Sequence, residues 1–248
     1  MILPAHHVIT PDPAFAAATA TALLQHLQQV SESSPVCIGL SGGTTPAPVY
    51  REIARLFPVL IGGNRNWRWF QVYERCVPAD SPQSNQRLIR ETLFRGGDTQ
   101  AWGRFFPVSL FEDPVTSAKE YQSLLFESVL GPEETVSSLL ILGLGEDGHT
   151  ASLFPGSNWP VHDPEPVFQA LYIPHLHSWR LSLTPPAILS SQHLWFLVAG
   201  KGKQQILQEL SASDPDRFPA GYLARRHASA RFFLDASAAG ISGPPAGE

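Results

Sequence analysis

Short apolar runs alternate with longer amphipathic stretches along the chain. Runs such as Val36–Leu40 have the length and continuous apolar character of strands that are buried on both faces. The stretches between them have helical length and begin with helix-starting residues, as at Asp12 and Pro13. Alternating strands and helices predict βαβ units and a largely parallel sheet, which is an α/β fold. The predicted strands are residues 36–40, 67–72, 136–142, 180–183, 193–199 and 230–234, and the predicted helices are residues 14–30, 46–57, 85–94, 114–130 and 203–210.

The composition is that of an ordinary folded protein with a sizeable core. The chain has 248 residues, of which 43% are hydrophobic and 16% are charged, enough for one large α/β domain or two small ones. No stretch is a clear linker between domains. We therefore expect residues 1–239 to form one domain and the glycine- and proline-containing tail, residues 240–248, to be disordered.

Charge and hydropathy exclude several kinds of partner. The net charge of −5 argues against a nucleic-acid surface, and no apolar run approaches the roughly 18 residues that a membrane helix needs. The first residues lack the basic and apolar regions of a signal peptide. Cys37 and Cys76 follow no metal-site spacing, so we expect reduced thiols, a cytoplasmic protein and neither a metal nor another cofactor.

The most informative segment is GLGEDGHTASLFPG, residues 143–156, which follows the predicted strand 136–142. We call it the 143–156 loop. Its glycines allow a tight turn and a close approach to a ligand. Asp147 and His149 within it are suited to proton transfer, because a carboxylate orients an imidazole and raises its basicity. The alternative is a loop histidine that only hydrogen-bonds to backbone. Open α/β sheets bind ligands at such strand ends.

The same segment contains the pattern GxGxxG, which raises a dinucleotide-binding hypothesis. We reject it because Pro155 and Gly156 interrupt the chain within about two helical turns, too early for the helix that the motif requires. No acidic strand end follows at the expected interval. A single GxGxxG is weak support for a nucleotide site in any case.

A second candidate loop joins a predicted strand to a predicted helix. We call it the 41–45 loop; it comprises Ser41, Gly42, Gly43, Thr44 and Thr45. Backbone N–H groups in such a turn, with a helix amino terminus behind them, bind phosphate readily, and the hydroxyls add donors. A small-residue turn that only caps the helix is about equally compatible with the spacing. The ending GK[ST] of a Walker loop is missing.

Three cations are candidates for binding an anion. Arg75 could stabilise developing negative charge, although an ion pair with Glu74 is the structural alternative. Arg180 and Lys203 stand at predicted strand edges, and two cations suit a phosphate dianion. Taken singly, each of them is better explained as a solvated surface charge.

Together these segments resemble the glucosamine-6-phosphate isomerase/6-phosphogluconolactonase family, and the lactonases in particular. The matching segments occur in family order over most of the chain, and DGHTASLFPG is specific. They are LSGGTTP (40–46), ERCVP (74–78) with SN (84–85), LGLGEDGHTASLFPG (142–156), RLSLTPPAIL (180–189), GKGK (200–203) and FLDASAA (233–239).

The resemblance implies a Rossmann-like, three-layer α/β/α fold with the active site at the carboxyl ends of the strands. It also implies hydrolysis of 6-phospho-D-glucono-1,5-lactone to 6-phospho-D-gluconate, with His149 as general base on water, and we expect Asp147 to orient His149. The 41–45 loop, Arg180 and Lys203 would hold the phosphate, and Arg75 would contact the reacting centre. The partner is then a small phosphorylated sugar lactone, and the oligomeric state, monomer or homodimer, stays open.

One position departs from the family pattern. The family commonly has Asp-Glu-Arg where this chain has Tyr73-Glu74-Arg75. Two alternatives to the lactonase hypothesis therefore stay open: a paralogue that binds sugar phosphates with little or no turnover, and an amino-sugar-phosphate deaminase or isomerase. The deaminase is disfavoured because Thr150 and the residues after it replace the glutamate-containing segment typical of that enzyme.

Overall fold

The computed structural model describes residues 6–30, 35–60, 66–95, 103–130, 137–157, 159, 167–212 and 214–241. These residues form ten strands and seven α-helices. The strands are β1 His6–Thr10, β2 Val36–Leu40, β3 Trp67–Gln71, β4 Tyr73–Arg75, β5 Arg104–Phe106, β6 Leu139–Gly143, β7 Phe168–Ile173, β8 Ser178–Leu183, β9 Leu194–Val198 and β10 Ala230–Asp235. The helices are α1 Phe15–Gln29, α2 Pro46–Leu60, α3 Asn85–Thr92, α4 Pro114–Leu125, α5 Pro185–Leu189, α6 Gln204–Leu210 and α7 Pro219–Arg226.

Seven strands form one parallel sheet in the order β1-β10-β9-β6-β2-β3-β5. From β2 the chain proceeds outward through β3 and β5, and from β6 it proceeds the other way through β9 and β10. The winding direction therefore changes between the neighbouring strands β2 and β6. Open α/β sheets bind ligands at the carboxyl ends of strands at such a switch point. The two candidate loops both begin there, since the 41–45 loop follows β2 and the 143–156 loop includes the last residue of β6.

Helices cover both faces of this sheet. One apolar cluster joins α1, α2 and α3 to strand residues such as Ile38, Trp69 and Leu139. The other joins α4, α5, α6 and α7 to the alternate strand residues, such as Phe70 and Leu140. Because successive side chains of a strand point to opposite faces, the continuous apolar strands supply both clusters. The expected three-layer α/β fold with a mostly parallel central sheet is confirmed.

A second, antiparallel sheet of three strands, in the order β4-β8-β7, was not expected. The strand predicted at 180–183 exists as β8, but it begins at Ser178 and belongs to this sheet. Residues 73–75, which directly follow the strand predicted at 67–72, form β4 by pairing with β8. This pairing joins distant segments, so local periodicity does not reveal it.

The other predicted elements are largely confirmed. The helix predicted at 114–130 is α4 continued by a π-helical turn, Phe126–Leu130. Strands β1, β5 and β7 and helices α5 and α7 were missed. Of the predicted tail, residues 242–248 lie outside the described residues, as does Val136 at the start of the strand predicted at 136–142. Within the described ranges, no helix is long and apolar enough to cross a membrane.

Candidate active site

Two adjoining cavities lie where the carboxyl ends of the main sheet meet the small antiparallel sheet. Their volumes are about 370 Å³ and 170 Å³. Tyr73, Arg75, His149 and Ala151 line both of them. Because these residues form a shared wall, we treat the two cavities as one cleft, with a larger and a smaller part.

His149 and Asp147 form a close pair on the wall of the larger cavity. Nδ1 of His149 lies 2.6 Å from Oδ1 of Asp147, and the His149 backbone N–H donates to the same oxygen at 3.1 Å. A Cβ on Gly145 would lie 2.0 Å from Nδ1, so the approach requires glycine there. Burial alone would raise the pKa of Asp147, but the hydrogen bonds and charge of His149 outweigh it and leave that pKa below its usual value. The carboxylate is therefore ionised at neutral pH and fixes the imidazole.

An aromatic ring covers one face of this imidazole. Phe154 stacks on His149 with ring centroids 4.4 Å apart and planes 23° apart. His175 lies on the turn between β7 and β8. Its imidazole makes an edge-on contact with the Phe154 ring, with centroids 5.3 Å apart. His175 lines the larger cavity, although none of the sequence motifs points to it.

The 143–156 loop is stabilised by hydrogen bonds to its own backbone carbonyls. The Gly145 N–H donates to the His149 carbonyl at 2.8 Å, and the Thr150 hydroxyl donates to the Gly143 carbonyl at 2.7 Å. Ala151 has φ of 52°, a left-handed conformation that is strained for a residue with a side chain. Such strain is maintained only where the surrounding structure fixes it, and Ala151 lies on the shared wall of the cleft.

The 41–45 loop lines the smaller cavity through residues 42–45. Ser41 itself is fully buried, is not part of that lining, and its hydroxyl has no hydrogen-bond partner among the described residues. Tyrosine hydroxyls hold the carbonyls of the first two residues: Tyr50 donates to Ser41 at 2.8 Å and Tyr73 donates to Gly42 at 3.1 Å.

Arg75 is positioned by an amide and a carbonyl and not by the neighbouring acid. Its guanidinium donates to Asn85 Oδ1 at 2.7 Å and to the Gln83 carbonyl at 2.8 Å. The ion pair with Glu74 that we considered is not formed. Glu74 is buried, and its carboxylate lies against the amino terminus of α3. The carboxylate accepts hydrogen bonds from five donors: the backbone N–H groups of Arg75, Asn85 and Gln86, the Gln71 amide and the Ser84 hydroxyl. It stabilises the helix amino terminus and the strand that carries Arg75.

Arg180 stands across the small sheet from Arg75, as its direct partner in the β4–β8 register. Burial lowers the pKa of Arg180, and the positive charge of Arg75 lowers it further. Neither guanidinium forms an ion pair with a carboxylate in the described part of the chain. The larger cavity therefore has unneutralised positive charge at one wall.

Lys203 reaches the smaller cavity from a 3₁₀ turn, Lys201–Lys203, that follows β9. The turn is anchored through Gly200, whose N–H donates to both carboxylate oxygens of Asp235 at 3.0 and 2.9 Å. The same carboxylate accepts from the Ala238 N–H at 2.7 Å. Asp235, at the end of β10, therefore fixes the position from which Lys203 extends.

Comparison with known proteins agrees with the family resemblance of the sequence motifs. Residues 11–232 match the family described as glucosamine-6-phosphate isomerases/6-phosphogluconolactonase. The chain belongs to this family. It is 33% identical to 6-phosphogluconolactonase of Synechocystis over 78% of this chain and 80% of that protein, and 30% identical to 6-phosphogluconolactonase of Rattus norvegicus over 84% and 81%. The solved structure of 6-phosphogluconolactonase from Trypanosoma brucei superimposes with a TM-score of 0.80 at 25% identity, covering 96% of this chain and 99% of that one.

The cleft of this family member brings together all but one of the residues expected at the site. The larger cavity contains Asp147 and Arg180, the smaller one contains Lys203 and residues 42–45, and Arg75 and His149 line both. Ser41 contributes its backbone to the loop and not a side chain to the wall. Within the described ranges, no group of three or more histidine, cysteine or acidic side chains is arranged for a metal ion.

Sequence reasoning missed the residues of this family member that position the site. Glu74 lies within β4 and Asp235 ends β10. In the sequence Glu74 was considered only as an ion-pair partner of Arg75, and Asp235 and Asn85 stood only within the matching segments. The available indication was an acidic residue in or directly after an apolar run, next to a loop. Cys76 lies near the cleft, but burial raises the pKa of its thiol to about 11, so it is not a thiolate nucleophile at neutral pH.

Proposed function

We propose that this protein is a hydrolase that converts 6-phospho-D-glucono-1,5-lactone to 6-phospho-D-gluconate in the oxidative pentose phosphate pathway. The observation that carries the proposal is the Asp147–His149 pair, 2.6 Å between Oδ1 and Nδ1, beside a cluster of cations and a loop of N–H donors. The names of the relatives support it, since those from Synechocystis and Rattus norvegicus are 6-phosphogluconolactonases. A fixed base next to anion-binding groups suits an ester whose far end is a phosphate.

In the proposed reaction the phosphate binds to the 41–45 loop, Lys203 and Arg180, and the lactone carbonyl lies near His149. His149 removes a proton from water through Nε2, and the resulting hydroxide forms a bond to the carbonyl carbon. Arg75 stabilises the oxyanion of the tetrahedral intermediate. Asp147 orients the imidazole and stabilises its protonated form.

The second proton transfer completes the hydrolysis. As the bond between the carbonyl carbon and the ring oxygen breaks, protonated His149 gives its proton to that ring oxygen. The product is the open-chain acid, and His149 returns to its neutral form. The residues account for every proton, so the mechanism requires no cofactor.

The location and extent of the proposed enzyme follow from the same interpretation. Neither cysteine forms a disulfide in the described part of the chain, which supports the expected cytoplasmic location. We propose residues 1–239 as a single catalytic domain, because the cleft takes residues from segments between the 41–45 loop and Lys203.

A direct assay tests the proposal. Disappearance of freshly prepared lactone is followed with and without the protein, and the spontaneous rate is subtracted. We expect turnover well above the spontaneous rate. A protein that binds phosphosugars but gives no excess turnover would be the non-catalytic paralogue, and ammonia release from glucosamine 6-phosphate would identify a deaminase.

A further inference from the structure

We propose that Tyr73 is a positioning residue that holds the 41–45 loop in the conformation that binds an anion. Its hydroxyl donates to the Gly42 carbonyl oxygen at 3.1 Å, and its half-buried ring lines both cavities. The inference rests on the proposed function for the identity of the anion, the phosphate of a sugar lactone.

The 41–45 loop has two carbonyl groups that are held by tyrosine hydroxyls. An anion is repelled by carbonyl oxygens and attracted by N–H groups, so a phosphate loop must turn its carbonyls away from the ligand. Here two consecutive carbonyls are occupied, Ser41 by the Tyr50 hydroxyl at 2.8 Å and Gly42 by the Tyr73 hydroxyl. The two tyrosines thereby set the orientation of two consecutive peptide planes.

The N–H groups of the same two peptides are fixed together with the carbonyls. In a trans peptide the N–H points away from its carbonyl, so fixing the Ser41 and Gly42 carbonyls also fixes the N–H groups of Gly42 and Gly43. Neither N–H donates a hydrogen bond within the described ranges, and both residues line the smaller cavity. They are donors that remain available for a ligand.

The Tyr73 hydroxyl keeps its proton. Burial raises the pKa of Tyr73, so the side chain is a neutral donor at every pH at which the protein is expected to work. An ionised carboxylate at this position accepts hydrogen bonds only and could not donate to the Gly42 carbonyl. The tyrosine therefore supplies position to the loop and adds no negative charge beside Arg75.

Asn85 joins the same unit from the other side. Its amide donates to the Tyr73 carbonyl at 3.1 Å, while its Oδ1 accepts from Arg75 at 2.7 Å. A Cβ on Gly42 would lie 1.9 Å from that oxygen, so the loop packs directly on the Asn85 amide. The loop, Tyr73 and Arg75 are thus coupled through one buried side chain.

The test measures inorganic phosphate binding by calorimetry in the wild type and in Tyr73→Phe, which removes only the hydroxyl. Tyr121→Phe is the matched control, because it also removes a buried hydroxyl that bonds to backbone, at Gln71 and Phe106, away from the cleft. We expect Tyr73→Phe to weaken phosphate binding about 2- to 10-fold, the range for one lost hydrogen bond. Tyr121→Phe should lower Tm and leave phosphate affinity as in the wild type.

Steady-state kinetics adds a readout that a general loss of stability would not move. In Tyr73→Phe the loss on the phosphorylated lactone should fall mainly on KM, and it should be smaller on glucono-1,5-lactone, which lacks the phosphate. Unchanged phosphate affinity in Tyr73→Phe, or an equal loss in Tyr121→Phe, would overturn the inference, as would a wild type that binds no phosphate. A wild type that binds phosphate but does not hydrolyse the lactone would instead refute the proposed function alone.

Discussion

Arg75 and Arg180 stand directly opposite each other on the neighbouring antiparallel strands β4 and β8. Like charges at opposed positions of a sheet destabilise it unless something neutralises them. The lowered pKa of Arg180, caused by burial and then by Arg75, reflects the same repulsion. Because neither has a carboxylate ion pair within the described ranges, we expect a bound anion to relieve this repulsion.

Replacing Arg180 by glutamine should therefore separate binding from folding. We expect Tm without ligand to stay the same or rise, because the repulsion with Arg75 is removed. Phosphate affinity should fall about 10- to 100-fold, the loss of a charge-assisted hydrogen bond. Calorimetry and thermal melts with and without phosphate measure both. Lys203→Gln, in the smaller cavity, is the comparison, and wild-type phosphate affinity in Arg180→Gln would exclude Arg180 from the anion site.

Removing the base should abolish most turnover. His149→Ala should lower kcat about 10²- to 10⁴-fold, the usual contribution of a general base, while phosphate affinity changes little. His177→Asn is a suitable control, because His177 has a left-handed φ of 45° that asparagine tolerates and does not line the cleft. A His149→Ala protein with normal kcat would contradict the mechanism.

The buried Glu74 carboxylate should matter to stability more than its distance from the reaction suggests. Glu74→Gln replaces one accepting oxygen by an amide donor facing N–H groups, so buried donors lose their acceptor. We expect the free energy of unfolding to fall by about 2–4 kcal/mol. Urea denaturation measures this change. Glu91→Gln, at an exposed ion pair with Arg87 later in α3, is the control and should lose less than about 1 kcal/mol.

Stability should decrease as the solution becomes mildly acidic. Burial lowers the pKa of His26 from 6.5 to about 4, with His193 and Arg231 nearby adding to the effect. Below about pH 6.5, His26 therefore binds a proton in the unfolded chain but not in the folded chain. The free energy of unfolding should decrease as pH falls from about 6.5 towards 4.

Urea midpoints at several pH values between 7.5 and 4.5 test this expectation. The His26 contribution is about 1–3 kcal/mol, reduced from the full shift because the ring is partly exposed. His26→Gln should flatten the profile, while the exposed His6→Gln should not. An identical profile in His26→Gln and the wild type would show that another group controls acid sensitivity.

The sequence was sufficient where structure is local. Strand β2, the 41–45 loop and α2 are consecutive in the chain, as are β6 and the 143–156 loop, so apolar runs and turn residues predict them. The pairing of Tyr73 with Ser182, and of Arg75 with Arg180, joins distant segments through a three-residue strand of polar composition. No local pattern marks such a strand. The anchoring of Lys203 by Asp235 is likewise a contact that only the folded sheet creates.

The stack of Phe154 on His149 has a consequence for the direction of the chemistry. Phe154 covers one face of the ring and Asp147 occupies Nδ1, so the Nε2 edge is the open side, with no hydrogen bond to any described residue. In the proposed reaction, the attacking water and the leaving ring oxygen must therefore exchange their protons with Nε2, one after the other. Both proton transfers would occur on the same side of the sugar, and the enzyme would attack the flat carbonyl from a single, fixed direction.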